Sequence, residues 1–234
     1  MNLSKFTMAA LCATMLTGFT AQAEDNQFYL QLNGGAALGL APKGDFGTKK
    51  AGNSGLIGVE AGYQFDEHLR TSVSLDYLTN FSFTETANEV KSSNRKSTAD
   101  VNYKVKSLLA MVNFYYDIME AKGFTPYVTV GAGIARNKTT SSGTWSAVSG
   151  NATGNGAINF KNYTKNNFAW KVGLGTRYAV NQNVALDLRY QYADLGKIAT
   201  GTGTQSLGKK SADLNVKKGK LRAHEFLLGV AYTF

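Results

Sequence analysis

An all-β fold, a transmembrane antiparallel up-and-down β-barrel of eight strands preceded by a cleaved signal peptide, is what three features of this 234-residue sequence predict. The chain opens with a charged start, an apolar middle and a small-residue end. Thereafter apolar residues alternate with small or polar ones, which is the period of a strand. The segments joining these stretches are short and long in turn, as in barrels whose turns differ on the two sides of a membrane.

In the first 23 residues, Lys5 precedes an apolar run over residues 6–19, and the segment closes on Ala21, Gln22 and Ala23. The run is too short and interrupted to span a bilayer as a helix, which needs about 20 apolar residues. Cleavage is expected after Ala23, giving a signal peptide over 1–23 and a barrel domain over 24–234. Cys12, the single cysteine, would leave with the signal, and Leu11 beside it does not fit a lipoprotein processing site. The mature chain therefore has no disulfide to rely on. Two prolines, 25 glycines and 12% aromatic residues favour strands over helices.

Eight alternating stretches follow, near residues 27–40, 55–65, 69–82, 103–117, 124–136, 167–180, 184–194 and 221–234. Most have at least the roughly 9 to 11 residues that a tilted membrane strand requires. The first carries Phe28, Leu30, Leu32, Ala36 and Leu38 on one face, and the second carries Ile57, Val59, Ala61, Tyr63 and Phe65. Leu69, Val73, Leu75 and Tyr77 define the third, and Leu108, Ala110, Val112, Phe114 and Tyr116 the fourth. The fifth has Val128, Val130, Ala132 and Ile134; the sixth has Phe168, Trp170, Val172, Leu174 and Tyr178. Val184, Leu186, Leu188, Tyr190 and Tyr192 mark the seventh, and Phe226, Leu228, Val230, Tyr232 and Phe234 the last. Aromatics gather toward strand ends, as in the girdles at the two membrane interfaces.

The opposite face settles which way the strands point. It holds Glu60, Arg70, Asp76, Lys171, Arg177, Asp187, Arg189 and Glu225, four cations and four anions that sum to zero. A soluble barrel would turn these outward to water. A membrane barrel encloses them, where each ion needs a partner because desolvation costs several kcal/mol, and a neutral interior suits a lumen too narrow for bulk water. The glycines on this face, such as Gly131, Gly133, Gly173 and Gly175, leave room for the crowded side chains and are not phosphate loops.

Connections at 66–68, 118–123 and 181–183 are short, whereas 41–54, 83–102, 137–166 and 195–220 are long and rich in Gly, Ser, Thr, Asn and Lys. Short turns in the periplasm and long segments outside place both chain ends in the periplasm. Without Lys5 the net charge is +8, of which the long outward segments with their strand margins carry +13, the short turns with the adjoining Asp117 −3 and Glu24 with Asp25 −2. The last outward segment is the most basic, with Lys197, Lys209, Lys210, Lys217, Lys218, Lys220 and Arg222 against Asp213.

The stretch FAWKVGLGTRYAVNQNVALDLRYQYADLGK over 168–197 and the final HEFLLGVAYTF resemble the C-terminal half of small outer-membrane β-barrels of the opacity-type porin and surface antigen group. FYLQLNGGAALG and GLIGVEAGYQF resemble that group's first hairpin more loosely. The resemblance implies a bacterial outer-membrane location, and Val230, Tyr232 and Phe234 are similar to the C-terminal signal read by the outer-membrane assembly machinery. It is not specific for activity, since related folds serve as adhesins, anchors, pores and enzymes. With the chain ending at its last strand, the peptidoglycan-binding domain of some relatives is not expected.

Catalysis would need a nucleophile and a base within reach of each other. His68 falls in a turn and His224 near the outer rim; Glu225 beside His224 points to the other face, and no Ser accompanies them. No enzyme activity, cofactor or metal site is expected on two histidines without a mature cysteine. Nucleic acid is excluded by the outward location and the lack of a recognition module. The expected function is a monomeric, structural or adhesive surface protein. Its basic outer residues Lys209, Lys210, Lys217, Lys218, Lys220 and Arg222 face anionic partners: lipopolysaccharide, other outer-membrane lipids, host glycans or acidic proteins. A slow diffusion porin is the alternative, and a lipid A-modifying enzyme a more distant one. Trp145, in the third long segment, is either a contact residue at a tip or packed within that segment.

Overall fold

The computed structural model describes residues 27–47, 50–92, 95–149, 152–207 and 210–234. The expected signal peptide and Lys209 lie outside the described residues. Twelve strands are present among them. They are β1 (Gln27–Leu40), β2 (Lys43–Gly44), β3 (Lys50–Gln64), β4 (Leu69–Ser92), β5 (Arg95–Asp117), β6 (Phe124–Ser149), β7 (Ala152–Phe160), β8 (Tyr163–Ala179), β9 (Val184–Ala199), β10 (Gly203–Leu207), β11 (Lys210–Leu214) and β12 (Lys218–Thr233).

Eight of these, β1, β3, β4, β5, β6, β8, β9 and β12, pair antiparallel with their neighbours, and β12 pairs back onto β1. The ring is closed, so the membrane band has no strand edge with unpaired backbone groups. Registers line up the outward residues: Leu32 lies opposite Val59 on one side and Val230 on the other. The expected eight strands thus correspond one to one with the barrel strands.

The turns at the end where both termini lie are short for local reasons. Asp66 Oδ1 accepts the backbone N–H groups of His68 at 2.7 Å and Leu69 at 2.8 Å, and Asn181 Oδ1 does the same for Asn183 and Val184. Those two backbone N–H groups also hold the Asp66 carboxyl below its usual pKa. The third turn passes through Lys122 and Gly123 at positive φ, 53° and 81°, where glycine is unstrained.

At the other end the strands outrun the membrane. β4, β5 and β6 have 24, 23 and 26 residues, about twice what a membrane crossing needs. They rise together as a sheet, which β7, β10 and β11 extend sideways in the order β11-β10-β7-β6-β5-β4. Much of 83–102, 137–166 and 195–220, which the sequence marks only as long connections, is therefore strand. Period and propensity are weak there, and the pairing is supplied by distant partners such as Thr84↔Asn102 and Asn102↔Ser142.

The apolar face predicted to meet lipid is exposed: Leu32 67%, Ile57 60%, Phe168 69%, Leu174 58% and Leu228 68%. Neighbouring residues on the other face are buried, among them Gln31, Glu60 and Leu227, and Gly175 is half-buried. Only on a membrane protein does this inside-out distribution avoid a large exposed apolar surface.

Candidate functional site

The enclosed interior has two tiers. Toward the short-turn end, charged and phenolic side chains interlock. Arg70 makes a bidentate pair with Asp117 at 2.6 and 2.7 Å, with its guanidinium lying over the rings of Tyr115 and Tyr127. Arg189 bridges Glu60 at 3.3 Å and Asp187 at 3.4 Å. Tyr115 donates to Glu60 at 2.7 Å, and Tyr127 donates to Asp187 at 2.8 Å. Lys171 reaches Asp76 at 2.8 Å, and Ser74 donates to the same carboxylate.

Two of the eight predicted interior charges stand outside these ion pairs. Arg177 lies over the Tyr29 ring, 4.6 Å from its centroid, and donates to Gln31 at 3.0 Å. Glu225 accepts from Gln191 through one oxygen, and its other oxygen has no protein partner.

Asp117 corrects the expected charge balance. Outside the predicted interior set although it ends the stretch 103–117, it is the last residue of β5, shares the inward parity of Asn113 and Tyr115, and is 3% exposed. Among the described residues, this tier of the interior thus holds five carboxylates against four cations. Tyr29, Tyr115 and Tyr127 are the other contributors that the sequence reading passed over. Their parity opposite Leu30, Phe114 and Val128 was the available signal. The glycines leave space for them: a Cβ on Gly62 would stand 2.2 Å from the Tyr29 ring, and one on Gly175 would stand 2.5 Å from that of Tyr127.

Toward the outer end the interior turns apolar. Leu78, Leu109, Met111, Leu195 and Leu221 interdigitate with Ala37, Ala135, Ala169, Ala193 and Ala223. A register shift between Leu78 and Phe81 swaps the facing parity of β4, so Phe81 and Phe83 also point inward. Phe46, Phe83 and Tyr103 stack above this layer with centroids 5.0 to 5.5 Å apart. Glu85 closes the mouth by accepting from Gly47 N at 2.9 Å, Lys217 Nζ at 2.7 Å and Tyr103 at 3.2 Å. Partial burial opposes the Glu85 charge, yet the hydrogen bonds from Lys217 and Gly47 and the Lys217 charge outweigh it, leaving the pKa below the usual 4.5.

The predicted outer cations separate into different settings. Lys217 is held by Glu85, Lys218 and Lys220 are exposed, and Arg222 is half-buried on the outer surface. Lys210 begins β11, with its side chain outside the described residues. Further exposed cations, Lys104, Lys106, Arg136, Lys138, Lys165 and Lys197, project from strands just above the apolar band. Val230, Tyr232 and Phe234 face outward, 49 to 67% exposed. His224 Nδ1 lies 2.8 Å from the Tyr190 hydroxyl on the lipid side, while Glu225 is enclosed. His68 lies near Tyr116, 5.9 Å between ring centroids, at the opposite end.

Known proteins are similar to this chain. The family model for the outer membrane protein beta-barrel domain matches residues 9–234. The outer membrane protein PagN of Salmonella typhimurium is 30% identical over 87% of this chain and 79% of its own. A candidate adhesin of Rickettsia conorii is 30% identical over 77% of this chain and 73% of its own, and one of Rickettsia canadensis is 26% identical over 81% and 83%. The crystal structure of Neisserial surface protein A is similar with a TM-score of 0.49 and 20% identity, over 88% of this chain and 97% of that one. The chain belongs to the outer membrane protein β-barrel domain family and is a protein of the bacterial outer membrane.

Proposed function

We propose that this outer-membrane barrel is a non-enzymatic surface adhesin whose basic outer end binds anionic partners such as sulfated host glycans or acidic proteins. The observation that carries the reading is the charge distribution: +13 lies on the outward segments and their strand margins, while the remainder of the chain after residue 23 is negative. A rim of that sign attracts anions over a distance set by ionic strength. Relatives named as candidate adhesins support the adhesive part of the proposal. The interior network of Glu60, Arg70, Asp76, Lys171, Arg177, Asp187, Arg189 and Glu225 serves as a structural plug. Val230, Tyr232 and Phe234 serve recognition by the assembly machinery.

Binding of the purified barrel to immobilised heparin across a salt series tests the proposal. Affinity should fall steeply as salt rises, and Lys43→Gln with Lys161→Gln and Lys218→Gln should weaken it several-fold. No binding at low salt, or binding indifferent to salt, contradicts it.

A further inference from the structure

One side of the barrel carries a second basic feature, which opens toward the membrane and not toward the outer medium. In β9, Leu195 is the extra residue of a β-bulge opposite β12, where Leu221 pairs with Gly196 and Arg222 with Asp194. Gly196 adopts φ 80°, a conformation that side chains disfavour, and a Cβ there would meet Asn167 at 2.5 Å. The bulge bends β9 and leaves a concavity of about 350 Å³ between the upper parts of β8, β9 and β12.

Its lining combines two chemistries. Phe168 and Trp170, 69% and 40% exposed, form the side continuous with the lipid-facing band, and Trp170 packs on Tyr192 at 5.6 Å. Lys165, Lys197 and Lys220 bring three ammonium groups to the other side. Asn167 ties together the backbones that carry two of them, donating to the carbonyl oxygens of Lys197 at 2.9 Å and Lys165 at 3.5 Å. Asp194 is the single carboxylate in the lining. One of its oxygens accepts from Gly196 N at 2.9 Å, and the other lies 3.9 Å from Lys220 Nζ, too far for a close pair. Arg222, the cross-strand neighbour of Asp194, has a buried Nε–H that no protein acceptor satisfies. The site is therefore cationic in excess and short of acceptors.

We propose that this concavity is a binding site for the phosphorylated sugar head group of a glycolipid in the outer leaflet. Its acyl chains would lie along Phe168, Val172 and Leu174 while its phosphate meets Lys165, Lys197 and Lys220. The position decides the occupant. An indole marks the membrane interface, so an anion reaching lysines beside Trp170 is at head-group depth, where basic pockets recognise anionic lipids. A soluble anion would lack the apolar half of the contact. The inference rests on the outer-membrane location alone and stands or falls apart from the adhesive reading.

Full-length mature protein in nanodiscs, mixed with bis-phosphorylated lipid A or with its dephosphorylated form, provides the test. Retained lipid is counted by native mass spectrometry. The protein should retain the phosphorylated form, and Lys165→Gln with Lys197→Gln and Lys220→Gln should weaken retention at least about tenfold, as expected for loss of several charge-assisted contacts. Lys96→Gln with Lys104→Gln and Lys106→Gln, an equal charge loss on β5, which β6 separates from the site, should leave retention unchanged. All three proteins should melt at the same temperature in detergent. Equal retention of both lipid forms, equal loss in both triple variants, or displacement of the lipid by inorganic phosphate at matched phosphate concentration overturns the proposal.

Discussion

Arg70 and Asp117 share two short hydrogen bonds in a place that water does not reach, so neither can lose the other without leaving a bare ion. Asp117→Asn should lower unfolding stability in lipid vesicles by about 3 to 5 kcal/mol, read from urea titration. Replacing both members, with Arg70→Met and Asp117→Leu, should cost much less, because no unpaired charge remains. If the single variant unfolds at the wild-type urea concentration, the pair is not holding the wall. Lys171→Met should likewise lower the melting temperature by stranding Asp76, its partner at 2.8 Å. At this scale most of the interior was legible, because parity alone separates Glu60 from Val59 and Arg189 from Leu188. Asp117 was missed because the same parity was not carried to the strand's final residue. The phenols were missed because Tyr is at home on either face of a membrane strand. Which cation meets which anion depends on strand tilt and stagger, and no local pattern encodes these.

Among the elements, β4 and β5 show where local reading gives out. Leu69 to Tyr77 alternates plainly, but beyond the shift at Leu78 and Phe81 the facing parity inverts, and the sequence becomes polar on both sides. A polar segment reads as loop until its partners are known, and those partners are β4 and β5 for each other, with β6 beyond them. The aromatic cap that this extension builds is tied down by Glu85. Its depressed pKa means that the charged form is favoured in the folded cap, so its stabilisation is complete above the unfolded value near 4.5 and is lost as pH falls through the lower folded value. Exchange of the Gly47 amide, which donates to Glu85, should accelerate below pH 4.5 relative to an unstructured peptide. Glu85→Gln should show the faster exchange already at neutral pH. An exchange rate that tracks the peptide's own pH dependence throughout contradicts the latch.

For the whole molecule, the closed ring, the buried interior side chains and the apolar layer under Phe46 and Phe83 fill the lumen among the described residues, so purified protein in a planar bilayer should pass essentially no steady current. A stable conductance would mean that the plug opens. Fold and orientation were readable because a barrel repeats one rule, alternation, through every strand. The identity of a partner was not, since sign of charge narrows chemistry without naming a molecule. The account depends above all on apolar side chains facing acyl chains while the ions stay enclosed. Leu228 and Leu227 are adjacent, yet 68% and 2% exposed, and no cysteine follows Cys12. Leu228→Cys and Leu227→Cys, each labelled with a fluorophore and reconstituted in vesicles containing brominated acyl chains, form the most direct measurement. The account predicts strong quenching at 228 and little labelling or quenching at 227. Equal quenching at both positions, or ready labelling of 228 by a membrane-impermeant reagent, would contradict it.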